Sequence, residues 1–122
     1  MTSRSERVVI VGIDGFSWKV FNSLADRGVI PNLKRMRSKG CAADFLSTYP
    51  PLTAPAWTSA FTGVNPGKHG IFDFVRVNRK YEKVPVSSRS RKVPAVWNIV
   101  NAFGGKVVVV NVPITYLSLI HI

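Results

Sequence analysis

Two stretches of the 122-residue sequence carry residue types able to do chemistry. One is Asp14 in Val11-Gly12-Ile13-Asp14-Gly15, and the other is the segment from Thr53 to Ile71. Asp14 closes a β-branched run, which puts a carboxylate at the carboxyl end of a strand. There it can ligate a metal in the crevice above a sheet, although an acidic residue after a strand also serves as a turn former or helix cap. Thr53 falls at the start of a predicted helix, where backbone N–H groups and the dipole attract an anion. That dipole is worth only ~0.3–1 kcal/mol at an exposed position. It positions a phosphate but does not ionise a hydroxyl. A divalent metal does more, taking bound water from a pKa of about 16 to about 7 and favouring an alkoxide in the same way. Taken alone, Thr53 reads as a helix N-cap.

The elements around these residues follow from hydrophobic spacing. Val8–Ile13 is a continuous apolar run, as in a strand buried on both faces of a parallel sheet. Ser17 is a helix cap for Trp18, Phe21, Leu24 and Ala25, with Gly28 as the stop. Pro31 opens a second helix with Leu33 and Met36 on one face and Gly40 at its end. Cys41–Thr48 reads as a strand, Tyr49–Leu52 as irregular because of Pro50 and Pro51, and Pro55–Phe61 as a short helix closed by Thr62-Gly63. Asn65-Pro66-Gly67 is a turn, Phe72–Val84 a strand or hairpin with charges alternating, and Ser87–Lys92 a polar loop. Pro94–Phe103 has helical spacing and Lys106–Val112 reads as a third buried strand, with an edge prone to aggregate if left open. Strand–helix alternation predicts an α/β fold with a mainly parallel sheet flanked by helices. Trp18, Phe21, Trp57, Phe61, Trp97 and Phe103 are expected to face the core, and Phe72 and Phe74 the mouth of a pocket.

Composition narrows the class. Seventeen Lys and Arg against six Asp and Glu give a formal charge of +11, which favours phosphate-bearing partners. The single cysteine, Cys41, excludes an internal disulfide or a CxxC knuckle and fits a reducing compartment, so a cytoplasmic location is expected. No run approaches the ~20 apolar residues of a membrane span. The expected organisation is a disordered N-terminus over 1–7, one α/β domain over 8–115, and a tail over 116–122. That tail, Tyr-Leu-Ser-Leu-Ile-His-Ile, is apolar where a parallel strand should pass into a polar loop, and it reads as foreign to a truncated domain.

In order along the chain stand Val11-Gly12-Ile13-Asp14-Gly15, Pro31-Asn32-Leu33, Thr53-x-Pro55, and Thr62-Gly63-x-x-Pro66-x-x-His69-Gly70-Ile71. This set resembles the alkaline phosphatase superfamily, most closely its type I phosphodiesterase/nucleotide pyrophosphatase branch, from Val8 to Thr115. The resemblance implies an alkaline phosphatase-like fold, N-terminal portion only, and a phosphoester hydrolase working on a phosphodiester, pyrophosphate or phosphomonoester. It implies two divalent metal ions, zinc, with Asp14 as a ligand of one and Thr53 bridging both. Thr53 would be the nucleophile, forming a phospho-threonine, and the Ala54 backbone N–H would hold the phosphoryl oxygens. His69 matches a residue that is structural in that family and is not assigned as a ligand. Cys41 does not align with the nucleophile, which disfavours the sulfatase branch.

The family's remaining Asp and His ligands have no counterpart here, so this chain is expected to be an inactive portion of the enzyme. Phe74 stands where the branch often has a phosphate-binding Asn, so nucleotide specificity is not implied. The rival expectation is a non-catalytic basic module for nucleic acid or another polyanion. Its support is Lys34, Arg35, Arg37 and Lys39, then Arg76, Arg79, Lys80 and Lys83 with Tyr81 among them, then Arg89, Arg91 and Lys92. No nucleic-acid-binding motif accompanies these charges. The partners expected are a small phosphoester and no membrane.

Overall fold

The computed structural model describes residues 7–115. The tail over 116–122 and all but Arg7 of the expected disordered N-terminus lie outside the described residues. The chain forms two compact units, one ending at Asp44 and the other beginning at Phe45.

In the first unit, helix α1 covers Trp18–Asp26 and is capped as its sequence predicts, the Ser17 hydroxyl accepting from the Val20 N–H at 3.4 Å. It ends in a Schellman motif. Gly28 takes φ +72°, its N–H bonds to the Ala25 carbonyl at 3.1 Å, and the Val29 N–H bonds to that of Leu24 at 3.0 Å. Helix α2, Pro31–Lys39, has proline in its first turn and stops at Gly40. The expected apolar face of α2 is used only in part, since Leu33 is half-buried while Met36 is largely exposed. The tie between the helices is instead Arg37. Its guanidinium lies 4.9 Å from the Trp18 ring centre and 5.2 Å from that of Phe21, and it donates to Asn22 Oδ1 at 2.9 Å. Phe21 and Ala25 are the buried residues of α1, with Trp18 edge-on to Phe21 at 5.4 Å.

The second unit opens with an irregular loop, as two prolines require. It contains a cis Tyr49–Pro50 bond, and the Pro50 carbonyl accepts from both Thr48 Oγ1 and the Leu52 N–H. Helix α3 spans Thr53–Thr62, starting two residues before the expected Pro55, and ends at Gly63 with φ +69°. A short helix α4, Pro66–His69, is capped by Asn65 and stopped by Gly70. Strands β1 (Val75–Val77) and β2 (Lys83–Pro85) pair antiparallel, with Arg76 opposite Val84. A 3₁₀ turn at Ser88–Ser90 leads to α5, Val96–Ala102. Ala54, Pro55, Thr58, His69, Ile71, Ala95 and Trp97 form the core. Trp57 stacks on Phe61 at 5.7 Å and Phe61 meets Trp97 at 5.4 Å; of the aromatics expected to face the core, Phe21 and Trp97 are buried, Trp57 and Phe61 half-buried, and Trp18 is exposed.

The α/β composition stands, with five α-helices and a sheet among the described residues. The parallel sheet does not appear among the described residues, whose one sheet is the β1–β2 hairpin. Val8–Ile13, Cys41–Thr48 and Lys106–Val112 are assigned to no strand, and Val8, Val9, Val108 and Val110 are each more than three-quarters exposed. A run apolar on both sides forms a strand only when neighbours take its N–H and C=O groups and cover both faces. Phe103 is also solvent-facing, because the chain leaves α5 at that residue. Among the described residues no helix is long and apolar enough to cross a membrane.

Candidate functional site

Thr53 is the first helical residue of α3 and Leu52 is the N-cap, so Thr53 does not cap the helix as its type suggests. It is half-buried, while Ala54 beside it is fully buried. The first turn directs few N–H groups along the axis. Pro55 has none, and that of Ala56 is taken by the Leu52 carbonyl at 3.0 Å. Deeper in the helix, Thr58 Oγ1 donates to the Ala54 carbonyl at 2.8 Å and Thr62 Oγ1 to that of Thr58 at 2.7 Å. These back-bonds satisfy hydroxyls that would be costly to bury unpaired.

His69 fixes α3 from the side. The ring is fully buried, with Nε2 2.9 Å from Ser59 Oγ and Nδ1 accepting the Ile71 N–H at 3.1 Å. An Nδ1 that accepts leaves the proton of the neutral ring on Nε2. Burial is the main cause that pushes the imidazole below its ordinary pKa; the nearby Arg91 charge acts the same way, and the Pro55 carbonyl opposes both. The ring therefore holds α3 in its neutral form, and its Nε2 is a donor rather than a base toward Ser59. Sequence reading found His69 but not Ser59, since no fixed spacing links a helical residue to one beyond an intervening turn.

A second support was also missed as such. Arg91, read only as one charge of a basic loop, is partly buried. Its Nε donates to the Val93 carbonyl at 2.8 Å and its Nη2 to Asn98 Oδ1 at 3.0 Å, while the guanidinium lies 5.5 Å from the Trp97 ring centre. Asn98 Oδ1 also accepts from the Ala95 N–H at 3.0 Å, closing the start of α5. Desolvation lowers the Arg91 pKa from its ordinary value.

Asp14 belongs to the first unit, in the exposed turn before α1 where Gly15 takes φ +66°. Thr53 and Ala54, together with His69, belong to the second. Among the described residues no group of three or more His, Cys, Asp or Glu lies close enough to hold a metal ion. A closed zinc centre takes about four such donors, so the described residues do not fit a complete two-metal site. Cys41 is exposed.

A family model described as type I phosphodiesterase / nucleotide pyrophosphatase matches residues 8–116. No curated protein and no solved structure matches the chain.

Proposed function

Because the chain belongs to the type I phosphodiesterase/nucleotide pyrophosphatase family, we propose that it contributes the nucleophile-bearing part of a phosphoester hydrolase, with Thr53 as nucleophile. The single observation that carries this reading is Thr53 at the first position of α3, inside the span that the family model matches. In the proposed step the Thr53 hydroxyl gives its proton to solvent as its oxygen bonds to phosphorus, and the bond from phosphorus to the leaving oxygen breaks. The departing group leaves with a proton from solvent, and water then cleaves the phospho-threonine and restores the hydroxyl. The Ala54 N–H, at the positive end of the helix, faces the charge that gathers on the phosphoryl oxygens.

Ionising the threonine needs more than this helix provides. Its dipole supplies ~0.3–1 kcal/mol, far short of what an alkoxide at neutral pH requires. Asp14 is proposed as the one carboxylate that this chain gives to a metal centre, zinc in our reading, whose other ligands the described residues do not supply. The isolated chain is accordingly proposed to be without turnover.

The test has two parts. The purified chain with zinc and bis(p-nitrophenyl) phosphate should release no p-nitrophenol above a Thr53→Ala control. Residues 8–115 joined in frame to the ligand-bearing remainder of an active family member should restore zinc-dependent release. Thr53→Ser should keep that activity and Thr53→Ala should remove at least about a thousandfold of it, since triad-type nucleophile losses are of that order or larger. Full turnover by the Thr53→Ala chimera would sink the assignment.

A further inference from the structure

The hairpin β1–β2 concentrates charge that the hydrolase reading does not use. Its connection is built by Asn78. The side-chain Oδ1 accepts the N–H groups of Lys80 at 2.8 Å and Glu82 at 3.0 Å, and Nδ2 donates to Glu82 Oε2 at 2.8 Å. The main chain closes the same loop, Asn78 N–H to the Glu82 carbonyl and Tyr81 N–H to that of Asn78, both at 3.0 Å. Below the loop the ladder continues through Val86 N–H to the Phe74 carbonyl at 2.8 Å. Such a tip is ordered by its own bonds and needs no partner to hold its shape.

Arg76, Arg79, Lys80 and Lys83 are all exposed on this small element. Glu82 is the one carboxylate in the span 75–85, and its bond to Asn78 keeps it in the loop. The four cations therefore exceed local negative charge by three. Between them Tyr81 is 91 % exposed and held at φ +62°, a conformation uncommon for an aromatic residue. The third basic cluster differs in kind. Arg91 is spent on Val93, Asn98 and Trp97, and the Lys92 stem runs beside the Gly70 turn, 3.1 Å from where a Gly70 Cβ would fall.

We propose that the β1–β2 hairpin is a docking element for single-stranded nucleic acid, with Arg76, Arg79, Lys80 and Lys83 on backbone phosphates and Tyr81 stacked on a base. A preformed aromatic platform ringed by cations is what non-specific single-strand binders combine. It does not depend on Thr53 being a nucleophile, because binding can be read without turnover.

The experiment is fluorescence anisotropy of a labelled dT oligonucleotide of about twelve nucleotides with the whole chain across a salt series. Four phosphate contacts predict a slope of log K against log salt near −3, at about −0.7 per contact. Arg79→Gln with Lys80→Gln should bring it to about −1.5. Tyr81→Asn, which keeps a residue tolerant of left-handed φ, should weaken binding at least about fivefold and leave the slope unchanged. The charge pair carries the test if the Tyr81 variant does not fold. Equal losses from Lys34→Gln with Lys39→Gln on α2 would mean diffuse attraction and overturn the proposal. So would Tyr81-dependent retention on phosphatidylserine vesicles by a chain with no affinity for the oligonucleotide, which would make a membrane the occupant.

Discussion

His69 Nε2 lies 2.9 Å from Ser59 Oγ at the centre of the second unit, joining α4 to α3 with no solvent between them. Because Nδ1 accepts the Ile71 N–H, a second proton on the ring would break that bond and place a charge in the core. The folded-state pKa is lowered. The unfolded chain therefore binds the extra proton more readily, and stability rises with pH in that window. The His69 contribution is full above the unfolded pKa of about 6.5 and is lost as pH falls through the folded value. Urea unfolding at pH 7.5 and pH 5.0 should show this loss in the wild-type chain, and His69→Leu should flatten the difference. A pH dependence that survives His69→Leu unchanged would place its origin elsewhere.

Removing the two bonds has a separate consequence at neutral pH. His69→Leu keeps most of the volume but strands the buried Ile71 N–H, a loss of about 2–3 kcal/mol in urea unfolding. Ser59→Ala takes away only a hydroxyl and leaves the ring its bond to the Pro55 carbonyl, so it should cost about 1 kcal/mol or less while keeping the pH dependence. Similar losses from the two variants would contradict the unequal roles assigned to the ring nitrogens.

Arg91→Lys keeps the charge and loses the fork. A lysine cannot bond the Val93 carbonyl and Asn98 Oδ1 together while lying flat on Trp97. We expect a stability loss of about 1–2 kcal/mol and a changed near-ultraviolet circular dichroism signal from the tryptophans. A lysine variant as stable as the wild type would mean that the guanidinium geometry contributes nothing beyond its charge.

Gly63 and Gly70 both stand at left-handed φ after a helix, so alanine at either should cost about 1–2 kcal/mol. A Cβ at Gly63 meets open space, whereas one at Gly70 falls 3.1 Å from Lys92 Cε, the movable end of a long side chain. The two variants should therefore have thermal midpoints within a few degrees of each other. A much larger drop for Gly70→Ala would show that the Lys92 stem is fixed against the turn.

What was legible in the sequence shares one property: it is local. Ser17 as a cap, Gly28 and Gly63 as stops, Pro31 in a first turn and the irregular Pro50-Pro51 segment each act on neighbours within about five residues. The aromatic chain Trp57–Phe61–Trp97 was legible because helical spacing puts its members on inner faces. Strand pairing is not local. Val8–Ile13 and Lys106–Val112 have the composition of buried strands, but a ladder needs a partner that composition does not name. The same holds for Arg37, whose charge suggested one member of a polyanion-binding cluster while its guanidinium rests on Trp18 and Phe21. Thr53 was legible as a helix start but misplaced by one position, because a cap is defined by backbone angles rather than residue type.

Zinc binding tests the division between what this chain carries and what a two-metal centre needs. A complete structural zinc site yields about 10–16 kcal/mol from four donors. Asp14 is exposed on its turn, His69 is buried with both nitrogens engaged, and the described residues hold no cluster of three donors. Binding to the chain should therefore be weak, with a Kd above about 100 µM, equivalent to less than about 5.5 kcal/mol. Asp14→Asn should reduce even that signal, and His69→Leu should not alter it beyond its effect on folding. Titration calorimetry at pH 7.5 reads both. Saturation below about 1 µM with a stoichiometry of two would instead mean that the chain assembles a two-ion site, and the proposed absence of turnover would fall with it.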